Sequence, residues 1–598
     1  VPAIEPAPER AQSLRRWQLL ARVSERKLVR GLLALLALLL GASMIDESPT
    51  TDEPLHLTRG LAYYWGPDTS LNYSHPPLGN VVGALPVALI ESVLGGRVEM
   101  SKVTGYADGE VWKVARDMIG SHYGRHRPWF FEARAMIALL SIALAFYVYR
   151  LGVQFFGSAV GLCALAFFVF HPTLIAHGRL MTTDMPVTVA MVIAVGELVR
   201  FLNGGSRWHG AAAACAVGVG MVTKFTGLSM IPLASFAVLV TAGFRVGRYR
   251  GVSLVRALAS ATGFIALAAL ASLFVINAAY RFERTGASAA EMLSWPEPAP
   301  NKPRGYGGDA LERAELLTKL PAWMPVPLPY TYVFGLSVQR AHLDTGHKTV
   351  FFGRVLKHGH PAYFPVLLSI KTPIVMLAAL AYAAFVFWRR RGRISLPAAL
   401  FAGYAVCLLA LSMRAAINIG VRHVLPIMPI LAILAGLGAV HAWRALRDEQ
   451  MRERLAIGAL VASVIGIAWS FPDYLSDFNL LVAGRIGGER ISIVGEEWGQ
   501  DTVRLGRTLR RRGIDAVYFN GDSFTSSLEL RRFKVETLRF GTDARRLACS
   551  NKLPGDSYVA VQARDLARHG DQCSQGTALR TPDFDVNRHV FVFRTGPR

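Results

Sequence analysis

Acidic residues are scarce in this chain, charge of either sign is thin, and cysteine is nearly absent. Its 598 residues hold 42 Asp and Glu against 65 Lys and Arg, only 18% are charged, and 5 are cysteine. Each shortage excludes something. So little charge, beside 52% hydrophobic residues and a mean hydropathy of +0.32, does not suit a soluble chain divided into polar-surfaced domains. No CxxC or Cys/His spacing occurs, which leaves no cysteine-based metal motif. A net charge of +23 would suit nucleic acid, but no basic patch interleaved with aromatics stands out, so no nucleic-acid partner is expected. No internal repeat is visible, which counts against transporters built from paired halves.

What the chain has instead is a succession of apolar runs near the length needed to cross a bilayer as helices. They predict about eleven spans, at 28–45, 130–149, 156–176, 184–202, 210–224, 228–243, 256–280, 363–388, 395–413, 422–442 and 455–471. With residues 1–27 in the cytoplasm and the first run acting as a signal anchor, every predicted inner loop carries arginine near a membrane end. Examples are Arg22 and Arg26, Arg150, Arg200 and Arg207, Arg245 to Arg250, the 389–393 cluster, and Arg444 to Arg454. Counting 78–95 as a further span would reverse all later loops, so it is expected to lie in the outer interface. The short pair 210–224 and 228–243 is expected to form a hairpin turning within the outer leaflet.

The expected organisation is a polytopic α-helical domain over 28–471, with large outer loops at 46–129 and 281–362. An extracytoplasmic α/β domain follows over 472–598, with strands near 491–494, 516–519, 558–562 and 589–593 around a helix at 500–512. If that tail lies outside, Cys549 and Cys573 could pair. The localisation expected is the plasma (inner) membrane, multi-pass, among membrane lipids.

On this map the unusual polar residues gather on the outer side. They are Asp52-Glu53 with His56, His75 before Pro76-Pro77, Arg179, Asp184, Lys224, and Arg422-His423. Singly, each has a plain reading as a cap, a turn or a snorkelling side chain. Jointly they place acids beside bases at membrane depth, where ionisable groups are costly and commonly functional. A lipid-phosphate sugar donor needs such a set. Lys224, Arg422, His423 and Arg179 would hold the phosphate and stabilise charge building on it, and Asp52 or Glu53 would take the proton of an incoming hydroxyl.

The ordered series of motifs resembles a known superfamily. Asp52-Glu53 in the first outer loop, the later HPPL and TTDMP after the third span are similar to the protein O-mannosyltransferase and aminoarabinose transferase group. KFTGL, YFPVLLSIKTP, RHVLPIMP and EEWGQD at 496–501 resemble a bacterial phospholipid-carrier-dependent branch of it. The resemblance covers about 45–512 and implies the GT-C fold. It also implies an inverting transfer of a sugar from a polyprenyl-phosphate carrier to a protein, lipid or glycan hydroxyl, with Asp52 as base. It further places Asp184 near Asp52, organising acceptor, donor head or a divalent ion, for which Asp52, Asp184, His56 and His75 are candidate ligands. Ser74 stands before HPP where many relatives carry an acid, which weakens a metal role there. The alternative from another class is a transporter or flippase of lipid-linked sugars.

Overall fold

The structure, a computed structural model, describes residues 25–67, 69–248, 254–295, 315–390, 394–521, 524–541, 555–573 and 582–595. Arg22, Arg250, Arg391, Arg393, Cys549 and the side chain of Cys573 lie outside the described residues. So does residues 1–24 of the expected cytoplasmic segment.

Among the described residues, seven helices are long and apolar enough to cross a membrane, including Glu25–Met44, His126–Phe156, Asp184–Leu202 and Glu449–Ser470. Side-chain contacts show which ends meet. At one end Arg127 donates to the Ile45 carbonyl (3.2 Å), Arg134 pairs with Glu53, and Tyr280 donates to the Asn72 carbonyl (3.1 Å). At the other, Tyr149 donates to Glu25 (2.5 Å), while Glu197 accepts from Tyr147 (2.8 Å) and pairs with His209 (2.7 Å). Further helices of the bundle are Arg207–Thr223, Met230–Arg248, Leu254–Ala279, Ile374–Arg390, Leu396–Ser412 and Met428–Ala445. Against the eleven spans expected, those that meet the length and composition test number seven among the described residues, or eight if one bent pair is a single span. One continuous apolar core fills the bundle, from Leu36 and Leu40 through Val192 and Val217 to Ile430 and Ile433.

Pro77–Leu94 passes the same length and composition test, yet it does not run between the ends. Gly79 at its start faces Thr183 and Thr223, while Glu91 near its finish accepts from Trp129 Nε1 (2.7 Å) at the start of His126–Phe156. Both termini are therefore tied to one end of the bundle. Val93 is 86% exposed there, as an interfacial helix would have it.

Two expected spans are broken. The run 156–176 divides at Phe170 and His171 into Ser158–Val169 and Pro172–His177. The run 363–388 is not one span: Tyr363–Lys371 and Ile374–Arg389 meet at 117°. Pro373 is the cause, because it lacks an N–H and forces the preceding residue out of the helical region. The freed carbonyls find partners in Asn479, which donates from its side chain to Ser369 and Thr372 (both 2.7 Å) and from its backbone to Ile370 (2.8 Å).

A short antiparallel hairpin, β1 (Thr349–Phe351) and β2 (Arg354–Leu356), lies in the second outer loop. The tail adds β3 (Ala516–Asn520), β4 (Glu536–Phe540), β5 (Tyr558–Gln562), β6 (Phe584–Val586) and β7 (Val590–Arg594), which build a five-stranded mixed sheet in the order β4-β3-β5-β7-β6. β3 pairs in parallel with β4 and β5, whereas β7 runs antiparallel to β5 and β6. The amphipathic helix Thr502–Arg511 packs Leu505 and Leu509 against Val517, Phe519 and Val592. The strand expected at 491–494 is absent. Its place is taken by the end of the helix Arg485–Ile491 and a turn that leaves the sheet and docks on the bundle. That junction is stapled by a buried ion pair between Lys371 and Glu496 (2.5 Å).

Candidate active site

Four distant segments supply charged groups to one chamber of about 120 Å³, at the bundle end that also carries Pro77–Leu94. Asp52 stands at the N-cap of Glu53–Trp65, but its carboxylate makes no capping bond. It instead takes the Arg422 Nη1 donor at 3.0 Å and keeps 32% of its side-chain surface open. Burial alone would raise the Asp52 carboxyl, but the Arg422 guanidinium outweighs it and holds the group below the usual carboxylate range.

Asp184 opens the helix Asp184–Leu202 and accepts from Lys224 Nζ (2.5 Å) and from the Thr182 hydroxyl (3.1 Å). Lys224 ends Arg207–Thr223 in an extended conformation, followed by a single turn over Phe225–Ser229. This is the hairpin expected between two short spans, and it aims the ammonium into the chamber. His56 and His75 meet edge-on at 5.1 Å, with His56 Nδ1 bonded to Asn80 Oδ1 at 2.8 Å. Burial, then Arg59, pushes His56 down to about 4, and burial takes His75 well below its ordinary value, so both are neutral at pH 7. His423 lines the same wall, its ring stacked on Phe364.

The structure thus brings together Asp52, His56, His75, Asp184, Lys224, Arg422 and His423. It places two others elsewhere. Glu53 turns away and is saturated: Arg134 donates twice (2.7 and 2.6 Å), and the backbone amides of Met181 (2.9 Å) and Thr50 (2.7 Å) complete the set. Fully buried with no free lone pair, it ties the loop to the bundle and is not a second base. Arg179 is equally buried, paired with Glu47 at 2.6 Å, and does not reach the chamber.

Among the contributors not read as site residues from the sequence, Gln339 and His342 come from the helix Tyr330–Thr345, inside the expected outer loop 281–362; an apolar run through Tyr332, Val333 and Phe334 was the available signal. Trp498 comes from the tail and lays its ring 3.9 Å from the Arg422 guanidinium.

In the ligand set implied by the resemblance, Asp52 and Asp184 each face a cation and His56 Nδ1 is bonded to Asn80, while the buried His75 Nδ1 has no hydrogen-bond partner. Among the described residues the ligand atoms that come together, within 4.8 Å of one another, belong to Asp473, Asp501 and His589 in the tail. There too the oxygens are engaged. Arg504 and Asn587 hold Asp501, Arg485 and Asn587 hold Asp473, and His589 Nδ1 lies 2.5 Å from Asp501.

No curated protein sequence matches the chain. Solved structures similar to it include ArnT from Cupriavidus metallidurans bound to undecaprenyl phosphate, at 12% identity and TM-score 0.47, covering 95% of this chain and 99% of that one. Archaeal oligosaccharyltransferase AglB from Archaeoglobus fulgidus, in complex with an inhibitory peptide and a dolichol-phosphate, is another, at 12% identity and TM-score 0.42, covering 91% and 70%. Residues 129–275 match the family model described as dolichyl-phosphate-mannose-protein mannosyltransferase, and over that stretch the resemblance read from the motifs is borne out.

Proposed function

We propose that the chain is a glycosyltransferase that moves a sugar from a polyprenyl-phosphate carrier to a hydroxyl acceptor at the outer face of the membrane. The observation that carries this reading is the pairing in the chamber. Asp52 with Arg422, and Asp184 with Lys224, converge at one end of a membrane bundle, each carboxylate beside a cation suited to phosphate. Beside the Lys224 turn, an apolar cavity of about 360 Å³ lies among Met221, Leu228, Phe264, Ile276 and Tyr332. It offers the setting an isoprenoid tail needs next to a charged head. Arg150, Arg200, Arg207 and Arg444 lie at or near the opposite ends of their helices, which supports an inner location for that end and an outer one for the chamber.

In this reading the donor phosphate takes Arg422 and Lys224 as partners, and Asp52 is released from Arg422 toward the acceptor. As the acceptor oxygen bonds to the anomeric carbon, the carbon–oxygen bond to phosphate breaks. The acceptor proton passes to Asp52, and the leaving phosphate's charge is met by the two cations. The single displacement inverts the anomeric centre. Neutral His56 and His75 offer hydrogen bonds without adding charge, and His423 lines the same wall. A carrier of lipid-linked sugars would place its charged groups near mid-depth, whereas these sit at one end.

The test is Asp52→Asn, assayed with a labelled polyprenyl-phosphate sugar in membranes. Loss of transfer by about 10²- to 10⁴-fold, with carrier binding retained, is expected of a general base. Unchanged turnover would remove Asp52 from that role.

A further inference from the structure

The turn 494–501 belongs by sequence to the tail, yet Trp498 is only 3% exposed and packs into the core of the membrane bundle. Its indole covers one face of the Arg422 guanidinium at 3.9 Å. Its backbone carbonyl accepts from the Thr51 amide (3.0 Å) and the Thr51 hydroxyl (3.3 Å), one residue before Asp52. One residue therefore touches both sides of the Asp52–Arg422 pair, by side chain on one and main chain on the other.

The approach is set by bare backbone. Gly420 and Gly495 both adopt left-handed conformations, with φ of 88° and 91°, and face each other. A Cβ at Gly495 would fall 2.6 Å from the Ile419 carbonyl and 2.8 Å from the Gly420 Cα. The turn is stiffened from within, Trp498 N donating to Gln500 (2.7 Å) and Gly499 N to Glu497 (3.0 Å).

Arg422 has few other anchors: Nε donates to the Ile419 carbonyl at 3.2 Å, and Nη1 goes to Asp52. When Asp52 turns to an acceptor, the Ile419 carbonyl and the Trp498 indole still fix the guanidinium's orientation, beside the longer-range pull of Asp184 and Glu496.

We propose that Trp498 is a positioning residue of the transfer reaction, which keeps Arg422 aimed at the carrier phosphate and fixes the entry of Asp52 into the chamber. The inference rests on the glycosyltransferase reading and goes beyond it: the tail completes the reaction centre as well as covering it. A desolvated cation–π contact sets the scale, about 10- to 30-fold in phosphate affinity.

The experiment measures binding of undecaprenyl phosphate to the full chain in nanodiscs, for Trp498→Leu and Trp498→Phe, each made alone and in an Arg422→Gln background. Expected is a 10- to 30-fold weakening for leucine, a smaller one for phenylalanine, and no further loss from either once Arg422 is gone. In transfer assays the acidic limb of the pH profile should move to higher pH in Trp498→Leu, because a wandering Arg422 no longer holds the Asp52 carboxyl down. Equal losses in both backgrounds would mark a merely structural residue and overturn the proposal, as would unchanged binding. If Trp498→Leu does not fold, the phenylalanine pair makes the same comparison. Failure of the unaltered protein to bind undecaprenyl phosphate would overturn the glycosyltransferase reading, and this inference with it. Binding by the unaltered protein with no dependence on Trp498 would overturn the inference alone.

Discussion

The chamber and the cluster around His589 both bury carboxylates beside cations, and they differ in how fully those carboxylates are used. In the chamber, Asp52 has one cationic partner and an open side, and Asp184 has Lys224 and a hydroxyl. In the tail, Asp501 is shared among Arg504, Asn587 and His589, while Asp473 is held by Arg485 and Asn587. Glu53, one residue from Asp52, belongs with the tail cluster in this respect. A saturated carboxylate holds structure together, because removing any partner leaves a buried charge uncompensated. A paired but unsaturated one can exchange its partner for a ligand.

That contrast is most sharply broken or upheld at the adjacent acids. Glu53→Ala should lower stability by about 3–5 kcal/mol, since Arg134 is left buried without its counter-charge. Asp52→Asn should abolish transfer at nearly unchanged stability. Thermal unfolding in detergent compares them, and equal destabilisation by both would erase the distinction.

Next in size is the pH response of the tail. Burial would lower His589, but Asp501 outweighs it and pushes it up to about 10, while Asp501 is held below the usual carboxylate range. A raised histidine contributes stability that is fully present below its unfolded value near 6.5 and is lost as pH rises through 10. Unfolding of the tail, followed by hydrogen exchange on β5 and β7, should therefore become easier between those limits, by a few kcal/mol at most. His589→Gln should flatten the dependence.

The smallest expected effect is at the chamber's second cation. Lys224→Ala should weaken binding of polyprenyl phosphate about 10- to 100-fold, the range of a hydrogen bond to a charged group, and leave acceptor KM unaltered. A change confined to acceptor KM would move Lys224 out of the phosphate site.

Much of the chamber was legible because charged residues in an apolar chain announce themselves. Asp52, Asp184, Lys224 and Arg422 were each conspicuous against their surroundings, and one topology put them together. Misreadings came from what local sequence does not encode. Asp52 and Glu53 look equivalent side by side, yet successive residues at a helix start point to different faces. Arg179 looked available because its partner, Glu47, comes from the first outer loop. The break at Pro373 carried its own signal, but the helix was expected to continue because both flanks are apolar. β4 and β6 are the two edge strands and went unread, β6 because it has only three residues and β4 because its sequence ETLRF is largely polar, while Trp498 was missed because a cation–π contact leaves no spacing rule.

The backbone contact between Gly420 and Gly495 bears on how such a protein can be recombined. A tail grafted from a relative onto this bundle would meet Arg422 correctly only if both glycines and the tryptophan travelled with their counterparts. The loop at 419–423 and the turn at 494–501, some seventy residues apart, therefore behave as a single heritable part, and a chimaera with its junction between them should separate the guanidinium from the ring that holds it.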